Sequence, residues 1–569
     1  MINILGINSA YHELAACVLQ DGAPVAFAEE ERFNRRKHGK SARVDNAHEL
    51  PWQAIDFTLR QAGIKISEVD AIGFSLNPAR RLRNLEVNEV VEPGSWGSRA
   101  GEELFQRSLL QVPSAIETRY GVNVRERFHF VDHHLCHAAS AFLVSPFEEA
   151  AVLVVDGIGE FATAWLGHGQ GTGLRQIAEI NYPHSLGFLW EKLAQFLGFS
   201  EYDAYKIMAL AALGDPKPFA SAFDLLVRSN RDGEVWLTAD ALCFRNNNFK
   251  PLEKLLGPKR APGDPLKPCH ADIAAALEKV TDRALLDLAC FLRRATGSAR
   301  LCLAGGVALN CVSNRVLQES GLFEEIYIPP VAHDAGTALG AAAILWHQQF
   351  GGARSFILEH PYFGPEYSEA ELSAALERSG LKYRRSPDAA AEAAARIAGG
   401  AVVGWFQGRM EAGPRALGNR SLLADPRRAE MRAVLNEKVK HRPPFQPFAP
   451  AVLAPRAGDW FQIPGRSRST DFMLFAYAVL PAQASRIPAV VHADGTSRIQ
   501  TVQAHTNPLF YRLISEFERI TGVPLVLNTS FNDSEPIVCS PEDALNTFRS
   551  THIDALFLGN FVVERERNE

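Results

Sequence analysis

The sequence has no CxxC pair, no low-complexity tract and no sustained heptad pattern. Its eight cysteines are scattered from Cys17 to Cys539, which excludes a dense disulfide framework and reads as reduced thiols, mostly in cores. The longest apolar runs, such as "GTALGAAAILW", fall short of the roughly 20 residues a bilayer span needs. The opening "MINILGINSAYHELAACVLQDG" is neither basic nor continuously apolar, so no signal peptide is read there and a cytoplasmic location is expected. A strong excess of one charge is also missing. The formal net charge of −6 argues against indiscriminate binding to nucleic acid or an anionic membrane, while leaving room for a local basic pocket.

What is present is ordinary globular composition, 47% hydrophobic and 22% charged over 569 residues, enough for two or three domains. "INILGIN", "ACVLQDG" and "APVAFAEEERF" read as strand, strand with an Asp-Gly turn, and strand. The same unit recurs at "AAVLVVDGIGEFATAWLGHGQG", which suggests a duplicated α/β fold. "ARLCLAGGVALNCVSNRVLQES" and "EEIYIPPVAHDAGTALGAAAILWHQ" each run from a strand through a loop into a helix. They place Gly305, Gly306 and Asp334 at carboxyl ends of strands, where α/β folds build sites. A Gly-, Pro- and aromatic-rich stretch sets the expected boundary: residues 1–352, a linker at 353–368, and a second domain at 369–569.

Three constellations could carry chemistry. "VDHHLCHAASAF" places His133 and His137 one turn apart on one helix face. Asp156 and Asp334 each follow an apolar strand-like segment, where an aspartate also serves as a turn former or helix N-cap. Two imidazoles and two carboxylates suit Fe(II), Mn(II) or Zn(II), with positions open to substrate. Cys136 reads as a packing residue. In "LAGGVALN", Gly305, Gly306 and Asn310 form a turn that lets a nucleotide approach the backbone, with a following helix N-terminus that favours phosphate. Tight turns use the same glycines. His12, just after the first strand, suits either a structural role or a general base. In the second domain, "GRMEAGPRALGNRSLLADPR" and "NEKVKHRPPFQPFAP" hold Arg409, Arg415, Arg420, Lys440 and Arg442 among glycines and prolines. Guanidinium groups held on such turns suit bidentate phosphate binding, and Arg498, Asn528 and Ser530 could add ligands. Surface ion pairs are the alternative.

Taken together and in order, "HHLCHAASAF", "VVDG", "GGVALN", "HDAGTALGAA", "GRMEAGPRALGNRSLL", "PFAPAVL" and "LNTSFN…EPIV" resemble the O-carbamoyltransferases of natural-product (antibiotic) and nodulation-factor biosynthesis. The resemblance spans essentially the whole chain. It implies an α/β architecture: an N-terminal domain of the actin/sugar-kinase/Hsp70 class, related to the tRNA threonylcarbamoyl transferase, and a smaller C-terminal α/β domain similar to the synthase of threonylcarbamoyl-adenylate. The C-terminal domain would condense carbamoyl phosphate with ATP, used with Mg2+, into carbamoyl-adenylate and pyrophosphate. The N-terminal domain would pass the carbamoyl group, at an iron centre or another divalent transition metal, to a hydroxyl of a small molecule.

The resemblance implies His133, His137, Asp156 and Asp334 as metal ligands and His12 as the base beside the acceptor. It implies Lys37 as a lysine reaching the nucleotide, and Arg415, Lys440, Arg498, Asn528 and Ser530 around carbamoyl phosphate and ATP. Two departures stand out: Gln446 replaces the family's arginine before "PFAP", and the loop "SFNDSEPIV" is one residue shorter and lacks a glycine. Both bear on the adenylation half. Competing readings are a sugar-kinase-like phosphotransferase, a non-catalytic metal-binding or scaffolding protein, and carbamoylation of a nucleoside or a modified nucleic-acid base. A membrane partner is not expected, and a homodimer is allowed for.

Overall fold

The computed structural model describes residues 1–81, 91–465 and 467–565. The chain divides into two compact units: Met1–Asn34 with His38–Leu358, and the chain from Glu359 on together with Arg35–Lys37.

The first unit is built from two five-stranded sheets with the same plan. In the first, the order is Ala23–Glu29, Ala15–Gln20, Asn3–Asn8, Ala71–Phe74, Phe128–Phe130. The first three strands are antiparallel and the last two run parallel to the central Asn3–Asn8 strand. In the second, Gly173–Asn181, Ala162–Gln170, Glu149–Val155, Arg300–Ala304 and Glu325–Tyr327 repeat that order and those directions. This duplicated strand order is the architecture of the actin, sugar-kinase and Hsp70 class that the family resemblance implies, and the duplication itself is what the two strand–turn–strand units in the sequence suggest. The central strands are buried along nearly their whole length, so they read as continuous apolar runs instead of alternating ones.

The helix Gly336–Gln348 shows why "GTALGAAA" is so rich in small residues. Every residue from Gly336 to Leu345 is buried, because the helix packs against both the strand Asn3–Asn8 and the helix His133–Phe142. A Cβ on Gly340 would lie 1.8 Å from the Cys136 carbonyl oxygen, so only glycine permits the crossing. Among the described residues no helix is long and apolar enough to cross a membrane.

The second unit carries an eight-stranded mixed sheet in the order Tyr383–Arg385, Phe561–Glu564, Ala555–Leu558, Val403–Phe406, Arg420–Ala424, Leu525–Ser530, Ala449–Leu453, Gln500–Val502. The helices Ala389–Ala398 and Pro508–Thr521 pack on one another. The second of these buries Phe510, Leu513, Ile514 and Phe517, the i, i+3, i+4, i+7 stripe of an amphipathic helix.

Candidate metal centre and cationic cluster

Each half of the first unit sends two side chains to one point. The helix His133–Phe142 starts directly after the first sheet's edge strand and presents His133 and His137 one turn apart. Asp156 follows the strand Glu149–Val155, and Asp334 lies just before the helix Gly336–Gln348. His133 and His137 are fully buried, and the two aspartates are 5% and 6% exposed.

The ligand atoms of these four residues lie within 4.8 Å of one another. His133 Nε2 is 3.5 Å from Asp156 Oδ2 and 3.6 Å from Asp334 Oδ1. His137 Nε2 is 3.6 and 3.4 Å from the same two oxygens. These separations are too long for hydrogen bonds, and neither Nε2 atom has another partner among the described residues. Donors placed tetrahedrally at about 2.1 Å from one ion are about 3.4 Å apart. The donor set therefore fits a divalent transition ion. Its two carboxylates would balance the ion's charge, and its nitrogen and oxygen ligands suit iron, manganese or zinc.

Neighbouring groups fix the orientation of the ligands. His133 Nδ1 lies 3.0 Å from the Ser75 carbonyl oxygen. A carbonyl only accepts, so Nδ1 carries the proton and Nε2 turns its lone pair toward the aspartates. Gly306 donates its backbone N–H to Asp156 Oδ1, which leaves Oδ2 for the centre. Glu160 accepts the backbone N–H groups of His133 and Asn77, both at 2.8 Å. Thr337 donates its backbone N–H to the Asp334 carbonyl and its hydroxyl to Ser75 Oγ at 2.9 Å, and the Ser75 hydroxyl donates to Asn8 Oδ1. The Asn8 amide in turn holds the carbonyls of His12 and Glu13. One hydrogen-bonded chain thus connects the His12 loop to the Asp334 turn. Burial opposes charge on His133, yet in the absence of an ion Asp334 and Asp156 hold its pKa well above the ordinary imidazole value, so a bound metal would take the place of the Nε2 proton.

His12 Nδ1 is buried without a partner among the described residues, and its ring meets those of Tyr202 and His38 edge-on. "LAGGVALN" departs in detail from the simple strand–turn–helix expectation. After the strand Arg300–Ala304 the chain makes a short 3-10 turn, Gly306–Leu309, and the helix begins only at Cys311. Asn310 caps that helix, accepting from Val312 and Ser313, and its amide donates to Glu278. Gly305 has φ +91°, and a Cβ there would lie 2.2 Å from the Val155 carbonyl, so close packing beside Asp156 alone requires glycine.

Sequence reasoning did not single out Ser75, Glu160 or Thr337. Only Glu160 carried a signal, an acid in the turn after a candidate ligand. It also missed Glu191, on the helix Leu186–Phe196 whose capping Ser185 hydroxyl donates to the Gly157 carbonyl. Burial, then Glu201, Asp156 and Asp334, push the Glu191 carboxyl up to about 8.

In the second unit, Lys440 follows the helix Met431–Lys438 and is 4% exposed. Its ammonium donates to the Ser530 carbonyl, to Ser530 Oγ at 3.1 Å and to Asn532 Oδ1 at 2.6 Å. Burial, then the charges of Arg442 and Lys37, pull its pKa well below the usual lysine value. Lys37 itself is exposed. It belongs with this unit because the neighbouring Arg35 donates to the carbonyls of Pro536 and Ile537. Asn528, two residues before Ser530 on the same strand face, donates to Gln500 Oε1 and to the Ala416 carbonyl, which brings the Arg415 loop beside that strand. Its Oδ1 is buried without a protein partner among the described residues. Arg498 ends the short strand Thr496–Arg498, two residues before Gln500. Gln446 is 3% exposed, with a buried Nε2 that has no partner among the described residues.

Residues 407–419, carrying Arg415, join the paired strands Val403–Phe406 and Arg420–Ala424. Two buried charges clasp this loop. Glu411 Oε1 accepts the backbone N–H groups of Leu417, Asn419 and Arg420. The Arg420 guanidinium donates to the carbonyls of Gln407, Gly408, Asn419 and Pro365 and stacks 3.7 Å over Phe406. The sequence grouped Arg420 with phosphate-binding cations. In the fold it is fully buried and saturates backbone carbonyls.

Paired sheets of this order, with a histidine–aspartate cluster at the strand ends, define an α/β protein of the actin and sugar-kinase class. Comparison with known proteins is more specific: the model of the carbamoyltransferase N-terminus matches residues 3–343, and that of the carbamoyltransferase C-terminus matches residues 394–565. The chain belongs to the carbamoyltransferase family, and it is an enzyme of carbamoyl transfer. Relatives include the uncharacterized protein sll1178 of Synechocystis, 39% identical over 99% of this chain and 97% of its own length. Nodulation protein NolNO of Sinorhizobium fredii is 37% identical over 98% of this chain and 80% of its own length. Nodulation protein NolO of Bradyrhizobium diazoefficiens is 41% identical over 76% of this chain and 79% of its own length.

Proposed function

We propose that this carbamoyltransferase makes carbamoyl-adenylate from carbamoyl phosphate and ATP, and transfers the carbamoyl group to a hydroxyl of a small-molecule acceptor. His133, His137, Asp156 and Asp334 hold the metal, iron or another divalent transition ion. The observation that carries this reading is the meeting, in a buried site, of two carboxylate oxygens with two imidazole nitrogens that have no hydrogen-bond partner among the described residues. The acceptor class rests on the O-carbamoyl transfer that the sequence motifs imply.

Carbamoyl phosphate and ATP enter the second unit, where Arg415, Arg498 and Lys37 supply positive charge for phosphate oxygens and Lys440, its donors spent on Ser530 and Asn532, positions those two residues. Ser530 and Asn528 Oδ1, which has no partner among the described residues, supply polar contacts of opposite sense. Water takes the phosphoryl group of carbamoyl phosphate, releasing inorganic phosphate and carbamate. A carbamate oxygen then attacks the α-phosphorus of ATP, and pyrophosphate leaves. The carbamoyl nitrogen donates into its carbonyl, so the carbon accepts a hydroxyl only when a good leaving group, AMP, is attached.

In the first unit, the turn carrying Gly305 and Gly306 and the capping Asn310 border the nucleotide. The metal, when bound, supplies Lewis acidity toward carbonyl or phosphoryl oxygens. Ser75 and Gly306 keep the ligand atoms aimed. His12 takes the acceptor hydroxyl's proton as the C–O bond forms, and AMP departs.

The test is product analysis with the full chain, carbamoyl phosphate, Mg-ATP and a panel of hydroxylated acceptors. The reading expects AMP, pyrophosphate, phosphate and a carbamoylated acceptor in equal amounts. ADP as the nucleotide product would place the chemistry with the phosphotransferases instead.

A further inference from the structure

The helix that supplies two metal ligands begins with a second histidine, His134, which the centre does not use. Its side chain is 3% exposed, and neither Nδ1 nor Nε2 has a hydrogen-bond partner among the described residues. A buried polar group without a partner carries a desolvation cost, so such groups call for an occupant. His134 lines a cavity of about 200 Å3, separate from the metal ligands.

The lining states what that occupant offers. Asp132, Glu160 and Glu179 bring three carboxylates against a single guanidinium, Arg80. Arg80 pairs with Asp132 at 2.7 Å and more loosely with Glu179 at 3.4 Å. Even with Glu160 left out of the count, Asp132 and Glu179 against Arg80 keep one excess negative charge in the lining. A second orphan lines the same cavity: Asn181 Oδ1 is buried and without a partner among the described residues, while its amide is turned to Glu179. An amide oxygen only accepts, and a neutral imidazole always keeps one accepting nitrogen. Both therefore ask for hydrogen-bond donors in a negative surround. Trp165 and Phe161 add aromatic surface, which favours a cation further.

We infer that this cavity binds a small primary ammonium ion, its N–H groups donating to Asn181 Oδ1 and His134 and its charge set against Asp132 and Glu179. A water molecule would meet the orphaned atoms but leave the charge unbalanced. This inference does not rest on the assignment of the metal or of the adenylation step.

Calorimetric titration of the intact, metal-loaded protein with methylammonium chloride at fixed ionic strength tests it, with tetramethylammonium as a cation that has no donor. The expected result is saturable single-site binding of methylammonium and none of tetramethylammonium. Asn181→Leu and Glu179→Gln are each expected to weaken it about tenfold, as the loss of one charge-assisted contact predicts. The two variants lie away from the metal ligands, and their thermal unfolding checks that each is folded. Absence of saturable methylammonium binding, equal binding of both cations, or unchanged affinity in both folded variants would overturn the proposal and leave the cavity to water.

Discussion

Gly306 donates its backbone N–H to Asp156 Oδ1 at 2.8 Å, although the two residues are 150 positions apart. That contact determines which carboxylate oxygen faces the histidines. Gly306→Pro removes the donor at a position where proline is otherwise tolerated, the first residue of a helical turn. Gly305 already has the extended ψ, 164°, that a residue before proline needs. A Cβ at Gly306 would also lie 3.1 Å from the same oxygen, so the carboxylate must turn. Metal affinity is expected to fall about 10- to 100-fold, the usual effect of losing an outer-shell partner, while pyrophosphate release is unchanged. Competition against a chromophoric chelator measures it, and an unaltered affinity would speak against the arrangement.

His12→Asn separates the two halves of the reaction. The variant is expected to lose acceptor carbamoylation by about 10²- to 10⁴-fold, the range of general-base contributions, with adenylate formation retained. Parallel loss of both activities, followed by pyrophosphate and by mass of the acceptor, would remove His12 from its role.

Lys440→Met gives the opposite pattern. The buried ammonium that holds Ser530 and Asn532 is gone, so pyrophosphate release is expected to drop at least about a hundredfold, the scale of a lost charge-assisted clamp. Supplied carbamoyl-adenylate remains a substrate for transfer. Arg498→Ala is expected to behave in the same way. If either variant blocks the use of supplied adenylate instead, the division of labour between the units is wrong.

The Glu278 carboxyl predicts a pH dependence of stability. Burial, then the Asp282 charge, raises it to about 8, whereas an unfolded glutamate ionises near 4.3. Between those values the folded chain holds a proton that the unfolded chain has released. The stabilising contribution is therefore complete below the lower value and disappears as pH rises through about 8. Glu278→Gln keeps an acceptor for Asn310 and Ser313 and cannot ionise. It is expected to raise the melting temperature of the first unit by about 1–2 °C at high pH, the size of a 1 kcal/mol change in a unit this large, and by less at pH 5. A gain independent of pH would contradict the assignment.

The sequence disclosed the parts of the site whose signals are local. His133 and His137 are four residues apart on a helix, Asp156 ends an apolar strand, and the doubled strand–turn–strand pattern announces the paired sheets. Ser75, Gly306 as a donor, and Thr337 act through backbone groups or through hydroxyls in unremarkable segments, and their partners are distant in sequence. The helix Gly336–Gln348 has no apolar stripe because it is buried on all sides. Arg420 looked like a phosphate ligand because only the folded loop supplies its four carbonyl acceptors. The grouping of Arg35–Lys37 with the second unit has no local signature at all.

Anomalous X-ray scattering from crystals of the metal-loaded enzyme tests the central claim most directly. The account predicts one peak per chain, about 2.0–2.3 Å from His133 Nε2, His137 Nε2, Asp156 Oδ2 and Asp334 Oδ1, absent from crystals of His137→Ala. A stoichiometric ion bound elsewhere, with these four side chains left without one, would contradict it.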